Sequence, residues 1–208
     1  DGRNIRMLSA NIEQDNTPWP LSDGRVIYTR WEYVDRSQVN YHHLWTMNPD
    51  GTQHSIFFGN MHPGGLFIDA KPIPSSTDVL FIDSPGHGNV EHKGFVARVS
   101  AKPGPDARQH LRRISKSGDF RDPWAVSGDL YLAARDRDLV LMDGLGTEKV
   151  LYALPQAFTN CWLHEPRPLQ PRGREQLIAD KTDLSQPDGV FFLENVYEGR
   201  HMADVEKG

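Results

Sequence analysis

The sequence predicts an all-β chain, and three observations carry that expectation. The chain repeats itself, its turn formers are dense, and its apolar residues come in short alternating runs. Of 208 residues, 18 are Gly and 15 are Pro, too many for a helical bundle and suited to short strands joined by turns. The best-written copy of the repeat is Asp15 to Trp31, DNTPWPLSDGRVIYTRW. Degraded copies follow at Asp69 to Asp83, Phe120 to Asp136 and His164 to Asp180. Their anchoring prolines, Pro18, Pro72, Pro123 and Pro166, lie 54, 51 and 43 residues apart. Self-similarity at such a period marks a repeat architecture.

Taken in order, Asn4 to Leu8 reads as a short strand that follows an Asp1-Gly2 turn. The first full copy runs Pro18 to Leu21, then a hairpin signal at Asp23-Gly24, then alternation over Arg25 to Tyr33. Leu44 to Met47, the turn Asn48 to Gly51, and Ser55 to Phe58 complete four strands. The second copy contributes Val79 to Ile82 and Gly94 to Val99. Arg108 to Lys116 reads as a helical turn before a strand near Arg113 to Ser115. The third gives Leu130 to Ala134, Leu139 to Met142 and Lys149 to Tyr152 around a Gly144/Gly146 turn. The fourth gives Glu175 to Ala179 and Val190 to Asn195.

Four antiparallel strands per repeat of this length are the blade of a β-propeller. The expected blades span about 10–60, 61–116, 117–158 and 159–208, with 1–9 as the outer strand of a preceding or closing blade. Two arrangements suit that orphan strand: a closed four-bladed ring, or part of a larger ring, which the opening on a mid-blade turn favours.

A formal net charge of −5 gives no general attraction to nucleic acid. No apolar run reaches the roughly 18–20 residues of a membrane span. Cys161 is the one cysteine, which rules out an intrachain disulfide, a four-thiolate zinc site and a CxxCH haem attachment within these residues. Beside Trp162 it reads as a small buried apolar residue rather than a nucleophile. The GxSxG, P-loop, GxGxxG and HExxH motifs are absent.

The meander sorts its loops. One end of each blade carries turn chemistry alone, while the other collects Asp15, Trp31, Glu32, Tyr41, His42, His43, Arg135 and Glu165, a candidate binding face. The same end holds His62, His87, His92 and His164, from different blades, a set that can converge on a metal. Solvated loop histidines are the bland reading of those four. His42 and His43 are neighbours on an extended segment, so one ring is expected inside and the other in solvent. Asp15, Asp69 and Asp122 precede the prolines and read as acceptors for nearby backbone. Trp19 and Trp124 occupy matching positions and read as packing between blades, while Trp31 and Tyr33 read as an aromatic pair facing a ligand.

The phrase LWTMNPDGT at Leu44 to Thr52 resembles the TolB-type, WD40-like propeller repeat. More narrowly, DNTPWPLSDGRVIYTRWEYVDR, YHHLWTMNPDGT and NVYEGRHMADVEKG resemble the propeller (middle) domain of hydrazine synthase alpha-subunit-like proteins, planctomycete-type and multi-domain. That resemblance implies a ring of about six blades with this chain as its C-terminal part, an extracytoplasmic location (periplasm or compartment lumen), and haem c domains nearby. The family attaches haem through CxxCH, which this chain lacks, so its catalysis does not carry over. The expected function is a non-catalytic scaffold or binding module with other domains or subunits as partners. No cofactor is expected within the chain itself, a haem or divalent metal belonging to its surroundings. The alternative is a metal-dependent, lyase-like propeller enzyme working through the histidine-bearing face.

Overall fold

A computed structural model of the chain describes residues 5–86, 93–100, 102–202 and 204–206. Among them, twelve strands form three four-stranded antiparallel sheets, and helix is confined to one 3₁₀ turn, Arg108–His110. The first sheet is β1 (Asp15–Pro20), β2 (Val26–Trp31), β3 (His42–Met47) and β4 (Ser55–Phe58). The second is β5 (Leu66–Pro72), β6 (Asp78–Ser84), β7 (Phe95–Ser100) and β8 (Arg112–Arg113). The third is β9 (Arg121–Ser127), β10 (Leu130–Arg135), β11 (Asp138–Asp143) and β12 (Glu148–Ala153). Each is a meander in chain order.

The turns do what their residues demand. Gly24, at φ +91°, donates its N–H to Leu21 O at 2.9 Å, while Asp23 Oδ1 accepts from Arg25 N. Asn48 O accepts from Gly51 N at 2.9 Å, and Asp50 Oδ1 receives both the N–H and the hydroxyl of Thr52. Gly51 supplies the positive φ, +85°, that closes this turn without a Cβ penalty.

Alternation along the middle strands assigns each side chain to one of two cores. On β6, Val79 and Phe81 join Ile27, Leu44, Phe58 and Phe67 between the first and second sheets. Leu80 and Ile82, pointing the other way, join Phe120, Tyr131, Val140 and Met142 between the second and third. Sheet two is therefore buried on both faces, which is why β6 reads as an unbroken apolar run. Each of these side chains gains about 1.5–3 kcal/mol on leaving water. Thr29 Oγ1 also donates to Phe67 O at 2.6 Å, a buried bond from β2 to β5.

The fourth repeat differs from expectation. Residues 154–202 contain no strand, so neither Glu175 to Ala179 nor Val190 to Asn195 pairs, and three sheets stand where the sequence predicts four blades. The described part of Asn4 to Leu8 is likewise not a strand. A strand needs a partner, and Pro166, Pro168 and Pro171 remove three ladder donors from the stretch that would begin one. Val190, Phe191 and Phe192 are 100%, 98% and 91% exposed. The segment instead runs back from the third sheet to the first. Leu163 N bonds Asp136 O at 2.7 Å, Gln176 N bonds Ser22 O at 3.1 Å, and Lys181 N bonds Asp50 Oδ2 at 2.6 Å. Cys161 lies on this strandless path and is exposed, not buried as expected.

Candidate functional site

The first strands of the three sheets neighbour one another, β1 beside β5 and β5 beside β9. Each carries a bulge: the register slips between Asn16 and Trp19, between Ile68 and Lys71, and between Arg121 and Trp124. At each slip sits a non-glycine residue with positive φ: Thr17 (+48°), Asp69 (+60°) and Asp122 (+50°). Glu165 (+47°), in the fourth repeat, completes the series. A bulge re-aims one side chain out of the pleat, and left-handed backbone at a non-glycine residue costs on the order of 1–3 kcal/mol.

This series corrects the alignment expected from the prolines. Pro18, Pro123 and Pro166 follow the bulge residue, but in the second repeat Ala70 holds that place and Pro72 lies two residues beyond it. Asp15 therefore does not match Asp69 and Asp122. It accepts from the Ser9 hydroxyl and from Asn11 Nδ2 at 3.0 Å, which holds the preceding loop.

The three bulge residues and Glu165 converge. Asp69 N donates to Thr17 Oγ1 at 3.2 Å, and Glu165 N donates to Asp122 Oδ2 at 3.1 Å. Oxygens of Asp69, Asp122 and Glu165 lie within 4.8 Å of one another. Asp122 Oδ2 also lies 2.9 Å from Nδ1 of His164, and Glu165 Oε2 accepts from Arg167 at 2.5 Å, with Lys71 Nζ at 3.7 Å. Burial pushes Asp69 up to about 7; Lys71 opposes the rise, while the Asp122 and Glu165 carboxylates reinforce it. Carboxylates this close cannot all stay ionised without a compensating cation or proton.

Two residues beyond each of these positive-φ residues stand Trp19, Lys71, Trp124 and Arg167, and they too meet. The two indoles pack edge to face, while Lys71 and Arg167 lie over the Trp19 ring at 5.7 and 4.6 Å. Such pairs gain about 0.5–1 kcal/mol at exposed sites and more when desolvated. Past them opens a cavity of about 340 Å³ lined by Trp19, Trp124, Lys71, Pro72 and Arg172. Sequence reasoning assigned the tryptophans to packing and missed Lys71. A spacing measured from bulge to bulge rather than proline to proline would have aligned it.

The residues expected on the binding face fall into two groups. In the first sheet, Trp31 stacks on His42 at 5.0 Å and meets Tyr33 edge to face, while its Nε1 donates to Gln38 O. Asn11 Nδ2 bridges Asp15 to Trp31 O. Arg36 donates to Glu32 and lies 3.8 Å over the Tyr41 ring. Tyr41 in turn meets His43 edge to face at 5.5 Å. His42 and His43 are both buried, at 4% and 1% exposure, where one was expected in solvent. Trp31 covers the first and Phe67 of the second sheet covers the other, at 4.9 Å. Burial lowers the His43 pKa to about 4, against the Gly64 carbonyl contact that favours its charged form. The second group lies with the third sheet and the chain beyond it. Arg135 donates to Glu148 at 2.7 Å and lies over Phe120, and Glu165 and His164 meet at Asp122.

Of the four candidate metal-binding histidines, His62 packs on Phe58 with Nε2 3.1 Å from Asp106 O, and His164 is placed on Asp122. His87 and His92 lie outside the described residues.

No protein-family model matches the chain, and no curated protein sequence matches it. Among solved structures it is similar to Kuenenia stuttgartiensis Hydrazine Synthase, with a TM-score of 0.60 and 16% sequence identity. The match covers 71% of this chain and 21% of that one, so the chain spans about a fifth of that protein's length. Three stacked antiparallel sheets are thus a fold this chain is related to hydrazine synthase by, at an identity that speaks for the fold alone.

Proposed function

We propose that the chain is a non-catalytic β-propeller module of a larger, extracytoplasmic, hydrazine-synthase-alpha-like assembly. In this reading it binds neighbouring domains or subunits, and any haem is held by those neighbours. The observation that carries it is the likeness to hydrazine synthase over 71% of this chain but only a fifth of that protein. Two features of the chain support the same reading. The outermost strand β12 is exposed from Lys149 to Ala153, and the run Val190 to Phe192 lies almost wholly in solvent. Apolar surface of that kind calls for a covering neighbour. No helix among the described residues is long and apolar enough to cross a membrane.

The test is a visible spectrum of the purified chain beside native mass spectrometry of the protein drawn from its source. The expected pair of results is a chain without a Soret band and a native complex larger than one chain. A monomer that turns over hydrazine chemistry by itself overturns the reading.

A further inference from the structure

Asp69 and Asp122, at the bulges of the second and third repeats, and Glu165 of the fourth each bring one carboxylate to a common point, with oxygens within 4.8 Å of one another. The groups facing that point are Thr17 from β1, Lys71 beside Asp69 on β5, and His164 and Arg167 from the segment after β12. Their side-chain contacts are one-sided. His164 and the Glu165 N–H engage Oδ2 of Asp122, while Arg167 and Lys71 engage Oε2 of Glu165. Asp69 is 3% exposed, and its Oδ2 has no hydrogen-bond partner. A buried carboxylate oxygen that faces other carboxylates without a hydrogen-bond partner asks for a cation, or else for a proton shared with its neighbour.

We propose that Asp69, Asp122 and Glu165 form a calcium site joining three successive repeats, independent of the module reading above. The donors are all oxygen, the set that suits a hard dication rather than zinc or copper. Calcium takes ligands at roughly 2.3–2.6 Å in flexible geometry, so three oxygens within 4.8 Å of one another can share one ion. Magnesium demands near-ideal octahedral geometry and keeps several of its waters, which suits a buried all-protein trio less well. His164, on Asp122, holds that carboxylate in orientation from behind, as outer partners of metal ligands do. The ion here is structural: it pins two inner strands, β5 and β9, and the segment after β12 at one point and neutralises the charge they bring together.

The experiment is calcium titration of the untagged full chain after chelator treatment and dialysis, read by calorimetry and by thermal melting. One calcium per chain is expected, with a rise in melting temperature that grows with calcium concentration. Asp69→Asn and Glu165→Gln should each weaken binding about tenfold or more. If Asp69→Asn does not fold, Glu165→Gln decides, because that side chain is 42% exposed and tolerates loss of charge. No heat and no melting shift up to about 10 mM calcium overturns the site. Binding by both variants as tight as wild type overturns it equally, since the ion then sits elsewhere.

Discussion

The indoles of Trp19 and Trp124 meet at 90° with centroids 5.5 Å apart, one from the first sheet and the other from the third. The contact spans two non-adjacent sheets, so it reports on how the repeats close upon one another. Trp124→Ala should cost about 2 kcal/mol in urea unfolding, less than a fully buried tryptophan because the ring is only half-buried. A double-mutant cycle with Trp19→Ala should return a coupling of about 0.5–1.5 kcal/mol. Additive losses would mean the rings merely share a neighbourhood.

Thr29 makes a sharper test of the first core. Its hydroxyl donates to Phe67 O at 2.6 Å in a fully buried setting. Thr29→Val keeps the shape and removes this donor from the carbonyl, at a cost of about 1–3 kcal/mol. Thr29→Ser keeps the hydroxyl and should lose less. Equal losses in the two variants would assign the effect to packing, not to the hydrogen bond.

His43 gives the fold a pH dependence of known sign. Its folded pKa is lowered to about 4 from an ordinary 6.5, chiefly by burial. The unfolded chain therefore binds the extra proton between about pH 6.5 and 4, and the neutral buried ring favours the fold above that window. Acidification across it should remove about 3 kcal/mol from this residue's contribution. The measurement is the stability difference between wild type and His43→Leu at each pH, which isolates the imidazole from the carboxylates. A difference that stays flat from pH 7 to 4 would show that the ring is not held neutral.

Gly24 tests how the last quarter of the chain is held. At φ +91°, a Cβ there would stand 2.2 Å from Gln176 O. Gly24→Ala should destabilise by about 1 kcal/mol or more and speed hydrogen exchange at Gln176, whose N–H bonds Ser22 O. Gly128→Ala is the control, because its Cβ meets nothing within 4 Å. Unchanged exchange at Gln176 in Gly24→Ala would mean the segment is anchored elsewhere.

Much of the fold is legible in the sequence, for identifiable reasons. Asp23-Gly24, Asn48 to Gly51 and Gly144/Gly146 bracket alternating runs, and β4, β10, β11 and β12 fall within a residue of expectation. Even the helical turn at Arg108 and the short strand at Arg113 are present. Val190 to Asn195 shows the limit. Its residues suit a strand, but pairing depends on a neighbour that no periodicity can supply. The site was legible only in part. Glu165 was placed on the binding face, yet Asp69 and Asp122 were both read as backbone acceptors, and Pro72 drew the alignment two residues away from the Asp69 bulge. Nothing in the local sequence announces that its carboxylate is buried or that its Oδ2 lacks a donor.

At two junctions the positive-φ residue of one repeat is tied to its predecessor in the same way: Asp69 N to Thr17 Oγ1, and Glu165 N to Asp122 Oδ2. The donor is main chain, which every residue except proline supplies, and only the acceptor depends on which amino acid is encoded. A repeat duplicated whole thus arrives already able to dock, with no compensating substitution required in the newcomer. The damage of a lost acceptor is correspondingly displaced. A substitution at Thr17 leaves its own sheet paired and loosens the next one, and a substitution at Asp122 loosens the strandless segment beyond β12, so each phenotype should map one repeat downstream of the lesion.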